Sequence, residues 1–348
     1  MRIRRTLPLV LAVVLVAAAV IFAVQLRKIA PPEAARLLPG ADAFFYVDLS
    51  WARKAGNGSA LPTVSHDPAY ERFIEATGIQ FERDLDSAAF SVHYPTNWPG
   101  GGTGGSAPEP RFSEVFVGKF HSEKLTDYLR QIAKSVETYN SVDIFTIPVE
   151  DRMFRVAVLS VDSVAASNHD DPAVIRGIVD RSRRLASPFG GPALLRRYYK
   201  RVQLASPVWL VARIQPSASE FGGWDAVFPK PADLVISLSF NPLHLPVRPG
   251  ALHLRAEAKA GSAEEARHIS EKVGVVLTMF HAAEEGSRGN DPDVKAAFDS
   301  LQVHQDGESA VLSATLPPGF LHKMLSDSPT ELSMPGSQTP AVTPPSAH

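Results

Sequence analysis

Residues Leu7 to Val24, LPLVLAVVLVAAAVIFAV, form a run of eighteen residues without a charge, an amide or a hydroxyl. No other stretch constrains the chain as much, because a run this apolar must be buried in lipid, buried in protein or removed. As a helix rising about 1.5 Å per residue it spans roughly 27 Å, near the thickness of a bilayer's hydrocarbon and beyond the core of an ordinary export signal. The expectation is therefore a retained signal anchor over residues 1–28. Arg2, Arg4, Arg5 and the amino terminus precede the run, and only Arg27 and Lys28 follow it. The positive-inside rule then holds the N-terminus in the cytoplasm and exports the rest. This predicts a single-pass protein of the cytoplasmic (inner) membrane with its C-terminal part in the periplasm. The alternative is a cleaved signal peptide, since Ala17, Ala18 and Ala19 supply small residues late in the run; cutting there would leave Ile21, Phe22, Val24 and Leu26 at a new terminus.

Cysteine is absent, which removes disulfides, thiolate metal sites and a lipid-modified cysteine together. The exported part must be stable through its own core, and its length suffices for two domains of ordinary size. The formal charge of -2 conceals an asymmetry: removing the five basic residues before position 29 leaves the remainder near -7. An acidic surface argues against polyanion binding as the main task, though not against a local basic patch.

Behind the run, Pro31-Pro32 opens a short helix closed by Pro39-Gly40, which predicts a stiff spacer over 29–40. Strands are expected over Ala43–Leu49, Ser87–Tyr94 and Phe112–Phe120, with a helix after Asp67-Pro68 closed by Gly78. The segment Thr96–Pro110, TNWPGGGTGGSAPEP, is too rich in Gly and Pro for a fixed element, and no Gly-Lys-Ser/Thr follows to make it a phosphate loop. Ser122 is placed as the cap of a helix whose apolar side is Leu125, Tyr128, Leu129, Ile132 and Val136. Strands Val142–Pro148 and Met153–Val161 and a helix capped by Asp171-Pro172 complete a first unit, 41–185. A connector over 186–204 leads to strands Val208–Ile214, Asp233–Phe240 and Ala251–Ala260. Next comes a helix opened by a Ser262/Glu265 capping box, with Ile269, Val273, Val276, Leu277 and Phe280 as its stripe. A hairpin turned at Asp306-Gly307 and a final helix around Phe320, Leu321, Met324 and Leu325 close a second unit, 205–327. Residues 328–348 read as a disordered tail.

Sliding the chain by 140 places Lys119 on Lys259, Ser122 on Ser262, Leu129 on Ile269 and Val136 on Val276. The expected fold class is α+β: an N-terminal transmembrane helix, then an internal repeat of two β-β-β-α-β-β-α units with mainly antiparallel sheets, each covered on one face by its helices. Coincidence of two ordinary α+β units is the alternative.

Within the first unit, Pro39, Ala41, Asp42 and Tyr46, then Thr77, Gly78, Asp84 and Leu85, form two short motifs, Pro-x-Ala-Asp-x-x-x-x-Tyr-like and Thr-Gly-φ-φ-φ-x-x-Asp-Leu. The chain there resembles an uncharacterised family of membrane-anchored bacterial envelope proteins, a domain of unknown function. Such a family carries no assigned catalytic residues, so the resemblance implies exported architecture and no chemistry.

Three constellations invite a chemical reading. Asn168-His169-Asp170-Asp171 holds metal-ligand types, but adjacent residues diverge and no second group has ligand spacing, so helix capping by Asp171 is preferred and no metal or cofactor is expected. Glu82, Asp84 and Asp86 are acids of the kind glycosidases pair, yet they fall in a turn where acids cap or face solvent. No Gly-x-Ser-x-Gly elbow selects a Ser/His/Asp triad. The most distinctive feature is basic and aromatic: Arg181, Arg183 and Arg184, then Arg196, Arg197, Tyr198, Tyr199, Lys200 and Arg201. It reads either as a solvated connector face with Leu194, Leu195, Tyr198 and Val202 inward, or as a contact for anionic lipid or acidic polymer. Nucleic acid is not expected as a partner. The expected function is a non-enzymatic binding or scaffolding module of the cell envelope, with the membrane contacted through residues 7–24 and an envelope protein or anionic lipid surface as partner. The alternative is a hydrolase acting on an envelope polymer.

Overall fold

The structure, a computed structural model, describes residues 30–55, 68–94, 109–149, 152–183, 191–214, 227–240, 251–286 and 291–320. After helix α1 (Glu33–Leu37) come β1 (Ala43–Asp48), α2 (Leu49–Ala55), α3 (Pro68–Thr77), the short α4 (Phe81–Asp84), β2 (Leu85–His93) and β3 (Arg111–Gly118). Helix α5 (Ser122–Ile132) leads to β4 (Ser135–Tyr139), β5 (Val142–Val149), β6 (Arg152–Val158) and β7 (Ser163–Ser167), then α6 (Ala173–Arg183). The second half runs α7 (Ala193–Tyr198), β8 (Val208–Ile214), β9 (Ala232–Ser239), β10 (Leu252–Lys259), α8 (Ala263–Gly286), α9 (Pro292–Asp299), β11 (Gln302–Asp306) and β12 (Ser309–Leu316).

The expected pair of separate sheets is corrected here. All described strands join one twelve-stranded sheet, ordered β11-β12-β10-β9-β8-β1-β2-β3-β7-β6-β5-β4, and every pairing is antiparallel. The cause is the seam. β1 and β8 pair from Ala43↔Ala212 to Val47↔Val208, so the first strands of the two halves use each other to remove two edges that separate sheets would expose. On either side of the seam a three-stranded meander is followed by a helix and by strands that fold back onto the third strand.

The β-β-β-α-β-β-α order is also corrected for the first half, where four strands rather than two follow α5. The stripe read through Val136 breaks at Ile132, and Val136 lies on β4, 44% exposed. Asn140 and Ser141 both have positive φ, 46° and 60°, and make the two-residue β4–β5 turn. That is the geometry a hairpin's twist demands, supplied here without the Asn-Gly signal that would have announced it. Ser122 makes no side-chain cap on α5. Ser262 does cap α8: its Oγ accepts the Glu265 amide at 3.2 Å while Glu265 reaches back to the Gly261 amide at 3.0 Å.

The expected transmembrane helix and single-pass inner-membrane location are corrected as well. Among the described residues no helix is long and apolar enough to cross a membrane; α8, at 24 residues, carries Glu264, Glu265, Arg267, Glu271 and Lys272. No described element carries that placement, and it is withdrawn. The run 7–24 that prompted it, the Gly/Pro segment 96–108 and the tail 328–348 lie outside the described residues.

Helices cover both faces. On one face α1, α6 and α7 bury Phe44, Tyr46, Val115, Ala165, Trp209 and Val211 in the main core. Pro31-Pro32 thus leads into a core helix, with Ala34, Ala35, Leu37 and Leu38 all buried. On the other face α5 packs on β5–β7 through Leu125 and Leu129 against Phe145 and Val164, and α8 packs on β10 and β12 through Ala266 and Ile269 against Ala258 and Ala310.

Candidate functional site

The connector lies over the seam between the halves. Pro192 starts α7, a 3-10 turn over Tyr199–Arg201 continues it, and Leu195, Tyr198 and Val202 point into the main core. Tyr199 meets Trp209 edge-on with ring centroids 5.3 Å apart, and Trp209 stacks on Tyr46 at 5.4 Å. Burial, with the neighbouring Tyr46 adding to it, pushes the Tyr199 hydroxyl up to about 12.

The six residues singled out in the sequence therefore divide into two groups. Tyr198, Tyr199 and Arg201 fasten the segment. The Tyr198 hydroxyl donates to Asp233 of β9, whose other oxygen accepts from Arg213 at 3.1 Å. Burial and then that carboxylate raise the Tyr198 hydroxyl. Arg201 pairs with Glu257 of β10, which is 7% exposed and also accepts from Ser309 at 2.9 Å. Arg196, Arg197 and Lys200 face solvent instead. Among the described residues none of the three has an acidic partner, and the Arg197 guanidinium lies over the Tyr198 ring at 5.2 Å. Beside them a cleft of about 360 Å³ is lined by Tyr199, Lys200, Val202, Gln203 and the turn Leu204–Ser206. Ala205 holds that turn at φ 57°, in the left-handed region.

The other cations do not join this surface. Arg181 is turned inward, donating to the Leu37 carbonyl at 2.6 Å, and Arg183 donates to the Ser141 carbonyl at 3.1 Å. Arg184 lies outside the described residues.

The remaining candidates have structural employment. Asn168 accepts the Phe112 amide at 2.6 Å, His169 Nδ1 accepts the Asp171 amide at 3.1 Å, Asp170 pairs with Arg111, and Asp171 caps α6 by accepting the Ala173 amide at 2.8 Å. Among the described residues no group of three metal-ligating side chains converges. Glu82 accepts the Tyr70 hydroxyl at 2.9 Å, and Asp86 pairs with Arg53 at 2.6 Å. Burial pushes Asp84 up, but the Arg83 guanidinium and the Gln80 amide outweigh it and hold the carboxyl below its ordinary value. The family-like motifs have similar duties: Asp42 accepts the Tyr94 amide at 3.1 Å, and Gly78 turns out of α3 at φ 73°.

Sequence reasoning missed one cluster, because its members alternate along strands far apart in the chain. His93 Nε2 lies 3.1 Å from Ser113 Oγ, which lies 2.9 Å from Ser167 Oγ. The pairing resembles a nucleophile beside its base. Yet Ser113 is fully buried and His93 is 1% exposed, so no acyl or glycosyl group reaches the hydroxyl while the sheet is closed. Burial, reinforced by the facing His169, lowers the His93 ring to about 4. The His93 Nε2, Ser113 and Ser167 groups hydrogen-bond one another inside the core, as buried polar side chains require.

No protein-family model and no curated protein matches the chain. The envelope-family resemblance rests on its short motifs alone. Solved structures of TP0453 in crystal forms III, IV and I match with TM-scores of 0.46, 0.43 and 0.43 at 10%, 9% and 10% identity. The matches cover 84%, 85% and 86% of this chain and 96%, 98% and 99% of those chains.

Proposed function

We propose that this chain is a non-enzymatic binding module whose contact surface is the cationic outer side of the connector, and that its partner is an anionic, phosphate-bearing lipid surface. The observation that carries the proposal is the division within one short segment: Arg196, Arg197 and Lys200 stand in solvent without acidic partners among the described residues, while Tyr198 and Arg201 tie the same segment to Asp233 and Glu257. A cation on a fastened segment loses less side-chain and backbone freedom on binding than one on a loose loop. Each basic side chain near an anionic bilayer contributes about 1 kcal/mol, so three together are worth roughly a hundredfold in partition.

The test is sedimentation with vesicles of phosphatidylglycerol and phosphatidylcholine against phosphatidylcholine alone. The ratio of anionic to neutral partition isolates the electrostatic part. In R196E/R197E/K200E this ratio should fall by at least about a hundredfold at low salt, and the attraction that salt screens should be lost. Arg201 must stay, because reversing it would bury a second negative charge against Glu257. An unchanged ratio in the triple variant sinks the proposal.

A further inference from the structure

The sheet face opposite α1, α6 and α7 is covered by α3 and α5 at one end and by α8 at the other, and α2 packs against the start of β2. Between these covers the first three strands present an aromatic row. Alternation turns Phe44 into the core and Phe45 out to 36% exposure. Phe90 lies opposite Phe45 in register with ring centroids 6.0 Å apart, and Phe116 meets Phe90 edge-on at 5.8 Å. Phe112, on the same side of β3, is also 36% exposed.

Glu114 sits in the middle of this row. It lies between Phe112 and Phe116 along β3, directly across from Phe90 on β2 and from Ala166 on β7. Among the described residues Glu114 has no hydrogen bond or ion pair, and burial alone raises its carboxyl above the ordinary value. Arg53 is paired with Asp86 and Arg152 with Glu109, and Arg111, turned by alternation to the other face of β3, is paired with Asp170. A carboxylate placed among phenyl rings without a partner costs stability that a valine at the same position would not.

The chemistry of the frame restricts what offsets that cost. An anion is repelled by Glu114. A bare metal ion needs more than one carboxylate, and among the described residues no ligand set stands nearby. Phenyl faces attract a diffuse positive charge, and this attraction strengthens as water is excluded. We infer that Phe90, Phe112 and Phe116 with Glu114 form a binding site for an organic ammonium cation, the charge held at the Glu114 carboxylate and the apolar body laid along the row toward Phe45. This site is separate from the connector surface and needs no property of it.

The probe is benzyltrimethylammonium, titrated into the full chain and followed by NMR, with benzyl alcohol and benzenesulfonate as neutral and anionic counterparts. Glu114→Gln keeps the shape and removes the charge. It should weaken the ammonium about tenfold while leaving benzyl alcohol unchanged. Phe90→Leu, which keeps the apolar volume and loses the ring, should weaken it about threefold. R196E/R197E/K200E should bind the ammonium as the parent does, so failure here and failure of the connector proposal are separable. The inference is overturned if the parent chain does not bind the ammonium, if Glu114→Gln binds it equally well, or if the sulfonate binds as tightly.

Discussion

Replacing Arg201 by methionine tests whether the connector is fastened to the second half of the sheet or merely rests on it. The Arg201 side chain is 34% exposed and that of its partner Glu257 is 8% exposed. Breaking a fully buried pair costs about 3–5 kcal/mol, because it strands a charge away from water. Two features reduce that figure. Solvent reaches the guanidinium, and Glu257 keeps Ser309 at 2.9 Å and Arg255 at 3.4 Å. What is lost is closer to one charge-assisted hydrogen bond, so about 2 kcal/mol is expected for Arg201→Met. With a urea slope of about 3 kcal/mol per M, the unfolding midpoint should fall by roughly 0.7 M. Adding Glu257→Gln removes the stranded charge, so the double variant should recover about 1 kcal/mol. A loss under about 0.5 kcal/mol in Arg201→Met, or a double variant whose loss equals the sum of the singles, would refute the fastening.

Acid should weaken the fold through His93. Its ring, pushed down to about 4 and facing His169 with Asp170, Asp171, Arg111 and Arg155 nearby, binds a proton less readily folded than unfolded. Its contribution is therefore complete above pH 6.5 and lost as pH falls from there toward 4, a loss of about 3 kcal/mol that His93→Gln should abolish; parallel stability curves for the two proteins between pH 7 and pH 4.5 would contradict this. Gly118→Ala should destabilise by about 3 kcal/mol or prevent folding, since the added carbon would lie 2.3 Å from the Asp84 carbonyl oxygen, a backbone atom that cannot step aside. A urea midpoint equal to the parent's would show that the backbone at Asp84 and Leu85, where the β2–β3 register shifts, relaxes more easily than its geometry implies.

Much of the element pattern was legible because it follows local rules. Asp306-Gly307 turns a hairpin, Gly78 ends a helix at positive φ, and Ser262 with Glu265 opens one, each through contacts within a few residues. β4 was not legible, because Val136 fits a helical stripe as well as a strand, and only the β5 edge decides between them. The connector's cations could be found by counting. Their division into fastening and free residues could not, since Asp233 and Glu257 lie more than thirty positions downstream. Glu114 was passed over because a single acid in an apolar strand carries no sequence signal until its neighbours across the sheet are known.

By itself the sequence determined an α+β chain with antiparallel strands, cysteine-free and acidic beyond its first residues, with one basic aromatic connector. Periodicity, capping and charge are short-range properties, and a linear reading captures them. Only the tertiary structure decided that the halves share one sheet, that three of the connector's six marked residues fasten it, and that a carboxylate without a partner among the described residues stands among phenyl rings. Those outcomes depend on which strands meet. The β1–β8 seam joins Phe44 to Val211 across more than 160 residues, where no local preference reaches.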